Sequence, residues 1–163
     1  MEAPDLIVTY NRMKEGQEGQ VSELIHGLIA DYGTTFQSQL TPESLRASSG
    51  FLNVEVAECE GRVIGICAWV MSFSTWRGTR GMHVADHFVA RDFRHTGVAH
   101  KLLHNAAAAA AAEGATFIRT EVDISDEASE KLYAGIGFWN QLRHMLCFLE
   151  PDKFKAFLGT DPA

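Results

Sequence analysis

The chain has 163 residues, with 14 Lys and Arg against 21 Asp and Glu, which gives a net charge of −7. This acidic balance argues against a nucleic-acid-binding surface, and no apolar run reaches the roughly 18 residues that a membrane span needs. A chain of this length can bury a sufficient core without disulfides or metals, so we expect one domain over residues 1–163.

The amino terminus and the cysteines predict a cytoplasmic protein. The first ten residues, MEAPDLIVTY, lack the basic stretch and apolar core of a secretory signal peptide. The three cysteines, Cys59, Cys67 and Cys147, are an odd number at wide spacing inside apolar runs. We therefore predict buried, reduced thiols rather than a disulfide framework or a zinc site.

Hydrophobic periodicity predicts strands and helices in alternation. In the first half, β-branched and alternating runs predict strands over residues 6–10, 53–59 and 62–73, helical spacing predicts a helix over 20–32, and Thr41-Pro42 predicts the start of another. In the second half, the same criteria predict strands over 82–89, 116–122 and 139–149, helices over 97–113 and 126–136, and one or two helical turns over 152–158. The stretch 73–81 is predicted to be a loop. This order is typical of a layered α/β or α+β domain.

A strand, a short charged turn and an alanine-rich helix follow one another from Gly81 to Ala112. The first turn of a helix carries unpaired backbone N–H groups, and its dipole favours negative charge. Glycine at such a turn lets a phosphate approach the backbone closely. The spacing of Arg94, Gly97 and Ala99 indicates either a phosphate-binding loop or an ordinary strand-to-helix connection.

Residues 88–103, FVARDFRHTGVAHKLL, resemble the central motif of the GNAT superfamily of acyl-CoA-dependent N-acetyltransferases. That motif is Gln/Arg-x-x-Gly-x-Gly/Ala at a strand-to-helix junction, followed by a helix with paired leucines. Residues 126–138, DEASEKLYAGIGF, are similar to the family's second landmark, a helix that carries a Tyr shortly before Gly-Phe. The stretch 73–78 and the later DHFV at 86–89 resemble the spermidine/spermine acetyltransferase-like branch.

The resemblance covers residues 6–157 and implies a mixed, mostly antiparallel sheet of six to seven strands flanked by helices. It also implies acetyl-CoA as co-substrate, no metal, and a homodimer formed through the carboxyl-terminal strands. By position, the backbone of Phe88 and Val89 would hold the acetyl carbonyl, and the loop after them would hold the diphosphate. Asp126 stands where the family often has an Asn that touches the pantetheine arm, although a carboxylate accepts hydrogen bonds and does not donate them. The loop residues are Arg94, His95, Thr96, Gly97, Val98 and Ala99.

The resemblance places Tyr133 at the general-acid position. A phenol with a pKa of about 10 stays protonated at neutral pH and is able to protonate a leaving thiolate. The alternative is that Tyr133 packs its helix against the sheet.

The resemblance does not supply a general base, because Ala85 stands where the polyamine branch commonly has a Glu. Strand alternation places His83, Ala85 and His87 on one face and Asp86 on the other, unless a bulge shifts the register. An imidazole suits proton removal at neutral pH, so His87 is the candidate base, with His83 as an alternative. Otherwise water relays the proton, or the amine arrives neutral.

Four residues are candidates for the acceptor site. Trp76 is predicted either to line the acceptor pocket or to pack in the core, and Asp86 is predicted to bind the substrate. Asp31 and Tyr32, at the end of a predicted helix, are either acceptor-site or ordinary surface residues. The pair of histidines at positions 100 and 104 lacks the Glu of the H-E-x-x-H pattern, so no metal site is predicted.

The sequence therefore predicts an enzyme that moves an acetyl group from acetyl-CoA directly to the primary amine of a small cationic molecule. Two alternatives remain open. One is a GNAT-fold module that binds CoA without acetyl transfer, which the departures at Ala85 and Asp126 favour. The other is an enzyme that acetylates a protein or peptide amine.

Overall fold

A computed structural model describes residues 7–141 and 147–159 of the chain. These residues divide into two compact units, with the boundary between Asp123 and Ile124. The elements of the first unit are β1 (Val8–Arg12), α1 (Glu18–Asp31), α2 (Pro42–Ala47), β2 (Asn53–Cys59), β3 (Arg62–Ser74), β4 (Thr79–Val89), a 3-10 turn (Arg91–Phe93), α3 (Val98–Ala112) and β5 (Ala115–Thr120). The second unit contains α4 (Glu127–Ile136) and α5 (Pro151–Leu158).

The five strands form one sheet in the order β1-β2-β3-β4-β5. The first three pairings are antiparallel, whereas β4 and β5 are parallel. A parallel pair needs a crossover connection, and α3 supplies it. The mixed, mostly antiparallel sheet is confirmed, but the described residues contain five strands rather than six to seven.

Helices cover both faces of the sheet. On one face, α1 and α2 bury a cluster formed by Val21, Ile25, Leu45, Val54, Val56, Val63, Ile66 and Ala68. On β2, the alternate residue Glu55 points to the other face, where it accepts a hydrogen bond from Asn105 of α3. The α1/α2 layer and α3 therefore lie on opposite faces, which we name the α1 face and the α3 face.

Local signals in the sequence set several element ends as predicted. Thr41 and Ser44 form a capping box at the start of α2, with proline at the first helical position. Glu60 and Gly61 both have positive φ angles, 51° and 78°, as a tight β2–β3 hairpin turn requires.

Two predicted segments differ from the structure. The predicted loop at 73–81 is mostly strand, because β3 extends to Ser74 and β4 starts at Thr79, which leaves a turn of four residues at its tip. Of the predicted strand over 139–149, residues 139–141 and 147–149 lie in no strand, and residues 142–146 lie outside the described residues. Long-range pairing between β3 and β4 decides the first outcome, and a local pattern does not show it.

The cysteine prediction is partly confirmed. Cys59 and Cys67 are free and buried, but Cys147 is exposed. Burial raises the pKa of Cys67 well above its ordinary value, so this thiol stays protonated and unreactive.

Candidate functional site

A gap opens in the sheet between β4 and β5. Their described pairing runs from Arg80 to Val84 on β4 and ends at Thr120 on β5. Beyond that point β4 continues to Val89 along β3, whereas β5 has ended. We call this gap, between residues 85–89 of β4 and the end of β5, the fork. The second half of β4 therefore presents an unpaired backbone edge to the fork.

The hydrogen-bond pattern of β4 shows which amides face the fork. The N–H of Ala90 donates to the carbonyl oxygen of Ile64 at 2.8 Å. In an antiparallel pair, alternate residues turn their N–H groups toward the partner strand. The N–H groups of Phe88 and Asp86 accordingly point to β3, and that of Val89 points into the fork. This orientation gives a backbone donor at the position expected to hold a thioester carbonyl.

The loop after β4 opens the amino end of α3 to solvent. Gly97 has a φ of +84° and directly precedes the first helical residue, and His95 also has a positive φ of 63°. The first intrahelical bond runs from Lys101 N–H to the Gly97 carbonyl at 3.1 Å, so the N–H groups of the first turn have no intrahelical acceptor. Residues 94–97 are exposed.

The loop has room for a diphosphate. A Cβ built on Gly97 would meet no atom within 4 Å, so the space above this backbone is open. The exposed loop, the left-handed glycine and the amino-terminal N–H groups of α3 together suit an anion. The residues present therefore fit the phosphate groups of a coenzyme A molecule.

The structure gives Arg94, expected to bind the cofactor, a set of protein partners. Its Nε donates to the Val89 carbonyl at 2.9 Å, and its Nη2 lies 2.7 Å from Oδ2 of Asp31. Its guanidinium also lies 5.0 Å from the centroid of the Phe88 ring. Arg91 forms an ion pair with the other oxygen of Asp31. Arg94 thus fastens the loop to both β4 and the end of α1.

A β-bulge at Ala85 changes which residues of β4 share a face. Asp86 pairs with Ala68 but Val84 pairs with Trp69, so Ala85 has no partner on β3. As a result, His83 lies opposite Val70 and shares the α1 face with Asp86. The grouping of His83 with His87 on one face, which was expected only in the absence of a bulge, is therefore wrong.

His87 lies on the α3 face. Its Nε2 is 3.1 Å from the carbonyl oxygen of Ala99 in the first turn of α3. Burial lowers the pKa of His87 to about 4, although the hydrogen bond to Ala99 opposes this shift. The imidazole is therefore neutral at pH 7, and its Nε2–H donates to the helix.

Two polar side chains on the α1 face lie at the fork. Burial raises the pKa of Asp86, which makes this carboxylate a better proton acceptor than an exposed one. Nε2 of His83 is 2.7 Å from Oε2 of Glu121, one residue beyond the end of β5. Nothing in the sequence pattern links His83 with Glu121. The parallel pairing of β4 and β5 brings them together.

Trp76 lies at the tip of the β3–β4 hairpin and is 95% exposed. A residue that lines a pocket or packs in the core would be largely covered. Within the described residues of this single chain, Trp76 does neither.

The second unit contains the remaining two candidates. Asp126 caps α4, since its Oδ1 accepts from Ser129 N–H at 3.0 Å and its Oδ2 from the Ser129 hydroxyl at 2.7 Å. Tyr133 is buried, with its ring centroid 5.0 Å from that of Phe138. Gly137 ends the helix with a φ of +109°, as predicted.

Residues 21–138 match the Acetyltransferase (GNAT) family. The chain belongs to the GNAT acetyltransferase family. The match covers most of the chain and includes the β4–α3 loop, so the predicted enzyme class, an acetyl-CoA-dependent N-acetyltransferase, is confirmed.

Individual GNAT proteins resemble the chain over most of its length. A curated relative, thialysine N-epsilon-acetyltransferase of Bos taurus, is 27% identical over 143 residues, which cover 80% of this chain and 83% of the relative. This match is consistent with the resemblance to the polyamine acetyltransferase-like branch.

Solved structures show the same fold. The integron cassette protein VCH_CASS6 of V. cholerae has a TM-score of 0.75 at 15% identity, covering 94% of this chain and 98% of that one. An aminoglycoside acetyltransferase from an uncultured soil metagenomic sample, in complex with sisomicin, has a TM-score of 0.73 at 16% identity, covering 88% and 97%. Aminoglycoside N-acetyltransferase AAC(6')-Iy, in complex with CoA, has a TM-score of 0.73 at 16% identity, covering 90% and 97%.

In the described part of the chain, no helix has the length and apolar character of a membrane span. The same residues contain no cluster of three or more His, Cys, Asp or Glu side chains that could hold a metal ion.

Proposed function

We propose that this GNAT enzyme acetylates a primary amine on a small cationic molecule, and that it does so by direct attack of the amine on the thioester. The observation that carries the proposal is the continuity of β4 with the loop at 94–97. One strand presents the Val89 N–H to the fork and then leads into the exposed amino end of α3. A carbonyl donor and a diphosphate site therefore lie on one short stretch of chain.

Each part of this stretch has a distinct task. The first-turn N–H groups of α3 and the backbone at Gly97 hold the diphosphate. The Val89 N–H donates to the thioester oxygen as negative charge develops on it. Acetyl-CoA supplies the activated acetyl group. Arg94 holds the loop in place through Val89 and Asp31, and His87 holds the first turn of α3 through Ala99.

A cationic acceptor suits the charges of the chain. The net charge is −7, and Asp86 places a partly buried carboxylate on the α1 face beside the fork. The relative from Bos taurus is named for thialysine, and two structural neighbours are named as aminoglycoside acetyltransferases. All of these acceptors carry amines that are protonated at neutral pH.

A groove of about 310 Å³ lies between the end of α1 and the segment that follows this helix. It is lined by His26, Ile29, Ala30, Thr34, Phe36 and Ser38. Its apolar and hydroxyl-bearing walls suit the carbon chain of a small amine. The groove adjoins the end of α1, which Asp31 ties to the loop.

Within this proposal, Tyr133 donates the proton that the leaving thiolate needs. Asp126 acts on the cofactor through the start of α4, which it caps, rather than by donating a hydrogen bond to the pantetheine arm. We further propose a single domain, a homodimer and a cytoplasmic location. The family match supports the single domain, because residues 21–138 run across the boundary between the two compact units.

The test is a thiol-release assay with acetyl-CoA against polyamines, lysine, thialysine, aminoglycosides and peptides. We expect amine-dependent release of free CoA with small cationic amines, and a loss of roughly 100-fold in kcat for Tyr133→Phe. Calorimetric titration with CoA separates the alternatives. Saturable CoA binding with no turnover on any amine would indicate a binding module, and turnover on peptides alone would indicate a protein acetyltransferase.

A further inference from the structure

His83 and Glu121 bridge the closed end of the fork. His83 is opposite Arg119 in the parallel β4–β5 ladder, one position before the described pairing ends. Glu121 is the first residue after β5. Their side chains meet at 2.7 Å between Nε2 and Oε2, with 23% of the His83 side chain and 50% of the Glu121 side chain exposed.

The bulge at Ala85 brings Asp86 into line with this pair. On β3, Ala68 and Val70 are alternate residues on one face, and their β4 partners are Asp86 and His83. Asp86 is therefore the neighbour of His83 on the α1 face, at the point where the fork begins. Without the bulge, the two side chains would lie on opposite faces.

We propose that His83, oriented by Glu121, is the general base that deprotonates the acceptor amine, and that Asp86 attracts the cationic amine to it. This inference rests on the proposed function, because it needs an acyl group in the fork. The imidazole has the arrangement of a base held by a carboxylate: its Nε2–H donates to Glu121, which leaves Nδ1 to accept a proton. Ala85 supplies no carboxylate at this place in the strand.

The proton balance assigns each group one task. The ammonium gives one proton to Nδ1 of His83, directly or through one water, and Glu121 remains a carboxylate that stabilises the imidazolium. The neutral nitrogen forms a bond to the thioester carbon, and the C–S bond breaks as the amide forms. The thiolate takes one proton from Tyr133, and the second proton of the nitrogen, lost as the amide forms, restores the Tyr133 hydroxyl through water. His83 then gives its proton to solvent, so the net reaction releases one proton.

The charges around His83 favour this role. On the α1 face it has Glu121 and Arg119 on the β5 side and Asp86 on its own strand. Its β3 neighbour, Val70, is apolar. Two carboxylates against one guanidinium leave a net negative environment, which favours a bound ammonium.

The test compares His83→Gln, Glu121→Gln and wild type as full-length enzymes, with acetyl-CoA and the paired probes lysine and thialysine. We expect His83→Gln to lower kcat/KM for the amine by roughly 100-fold and to leave the Kd for CoA unchanged in calorimetry. The sulfur of thialysine makes its amine less basic, so the loss should be smaller with thialysine than with lysine. Glu121→Gln should lose less activity, and the loss should fall on kcat rather than on the KM for the amine, because Glu121 orients the base and does not bind the amine.

His104→Gln is the matched control, because His104 is exposed on α3 and belongs neither to the fork nor to the loop at 94–97. Wild-type activity in both His83→Gln and Glu121→Gln would overturn the inference and leave the proposed function intact. An equal loss for both amines, with the Glu121→Gln loss confined to KM, would make the His83–Glu121 pair structural. A wild type inactive on every amine tested would contradict the proposed function, and this inference with it.

Discussion

The carboxylate of Asp31 lies 2.7 Å from Nη2 of Arg94, between residues 63 positions apart in the chain. Asp31 is the last residue of α1, where the helix dipole disfavours negative charge and the last turn has no basic residue of its own. Hydrogen bonds from Arg91 and Arg94 offset this and lower the pKa of Asp31. Within the proposed function, this pairing couples the loop assigned to the cofactor to the helix beside the groove assigned to the acceptor.

Replacing Asp31 by Asn should loosen this loop. We expect the Kd for CoA to rise several-fold and Tm to fall by about 2–4 °C, the shift that corresponds to roughly 1 kcal/mol for a chain of this size. Because the folded pKa of Asp31 lies below its unfolded value, its contribution is complete above about pH 4 and is lost as the pH falls further. The measurements are calorimetric titration with CoA and thermal unfolding at several pH values.

Glu23→Gln is the control for this prediction, since it removes one exposed acidic charge from the same helix. Equal CoA affinity in wild type and Asp31→Asn would show that the loop keeps its conformation without α1. In that case the Val89 carbonyl and the Phe88 ring would be enough to hold Arg94.

Replacing Gly97 by Ala should weaken CoA binding by forcing the loop out of its left-handed conformation. A Cβ at this position meets nothing within 4 Å, so the cost is that of the φ of +84°, about 1 kcal/mol. Gly16→Ala is a matched control, because Gly16 has a φ of +93° and equally open surroundings away from the loop. Similar losses of Tm in the two variants, with CoA affinity lost only in Gly97→Ala, are the expected result. Equal CoA affinities would contradict the assignment of the loop.

The sequence predicts the β4–α3 stretch well because its signals are local. Gly97 and the alanine-rich helix act within a few residues, and the structure places both as expected. The bulge at Ala85 and the pairing of Asp31 with Arg94 could not be predicted in this way. Both arise from contacts between distant segments, and the bulge reverses the face of every residue that precedes it on β4.

The position of Asp31 at the end of a predicted helix was itself a signal in the sequence. An acidic residue at the carboxyl end of a helix is unfavourable unless a cation lies nearby. The sequence therefore indicated a missing partner, although not which of the 14 basic residues it was.

Replacing His87 by Gln should make the free energy of unfolding depend less strongly on pH in the acidic range. The pKa of His87 falls from an ordinary 6.5 to about 4, so its contribution to stability is present above pH 6.5 and is lost as the pH falls through about 4. The full difference corresponds to about 3 kcal/mol. Chemical denaturation from pH 4 to 7 should show a smaller loss of stability in His87→Gln than in wild type or in His104→Gln.

The same variant separates two roles for His87. If His87 only holds the first turn of α3, a Gln that donates to the Ala99 carbonyl should keep most of kcat. A loss of roughly 100-fold in kcat with unchanged CoA affinity would instead support the expected role as a base.

Buried Glu55 should destabilise the enzyme at neutral pH. Its Oε1 lies 2.9 Å from Nε of Arg12 and its Oε2 accepts from Asn105 at 3.2 Å, yet burial raises its pKa and Arg12 only partly offsets this. The contribution of Glu55 is therefore most favourable below about pH 4 and is lost as the pH rises. We expect Glu55→Gln to unfold at the same or a higher denaturant concentration than wild type at pH 8.

Arg12→Met should have the opposite effect, because it leaves the Glu55 carboxylate buried without its cation. Arg12 also lies 5.3 Å from the centroid of the Trp69 ring, and that contact would be lost with it. The double variant Glu55→Gln/Arg12→Met separates the two causes. If the buried charge is responsible, the double variant should regain most of the stability that Arg12→Met loses. A double variant as unstable as Arg12→Met would assign the loss to the other contacts of Arg12, with the Trp69 ring and Asn53.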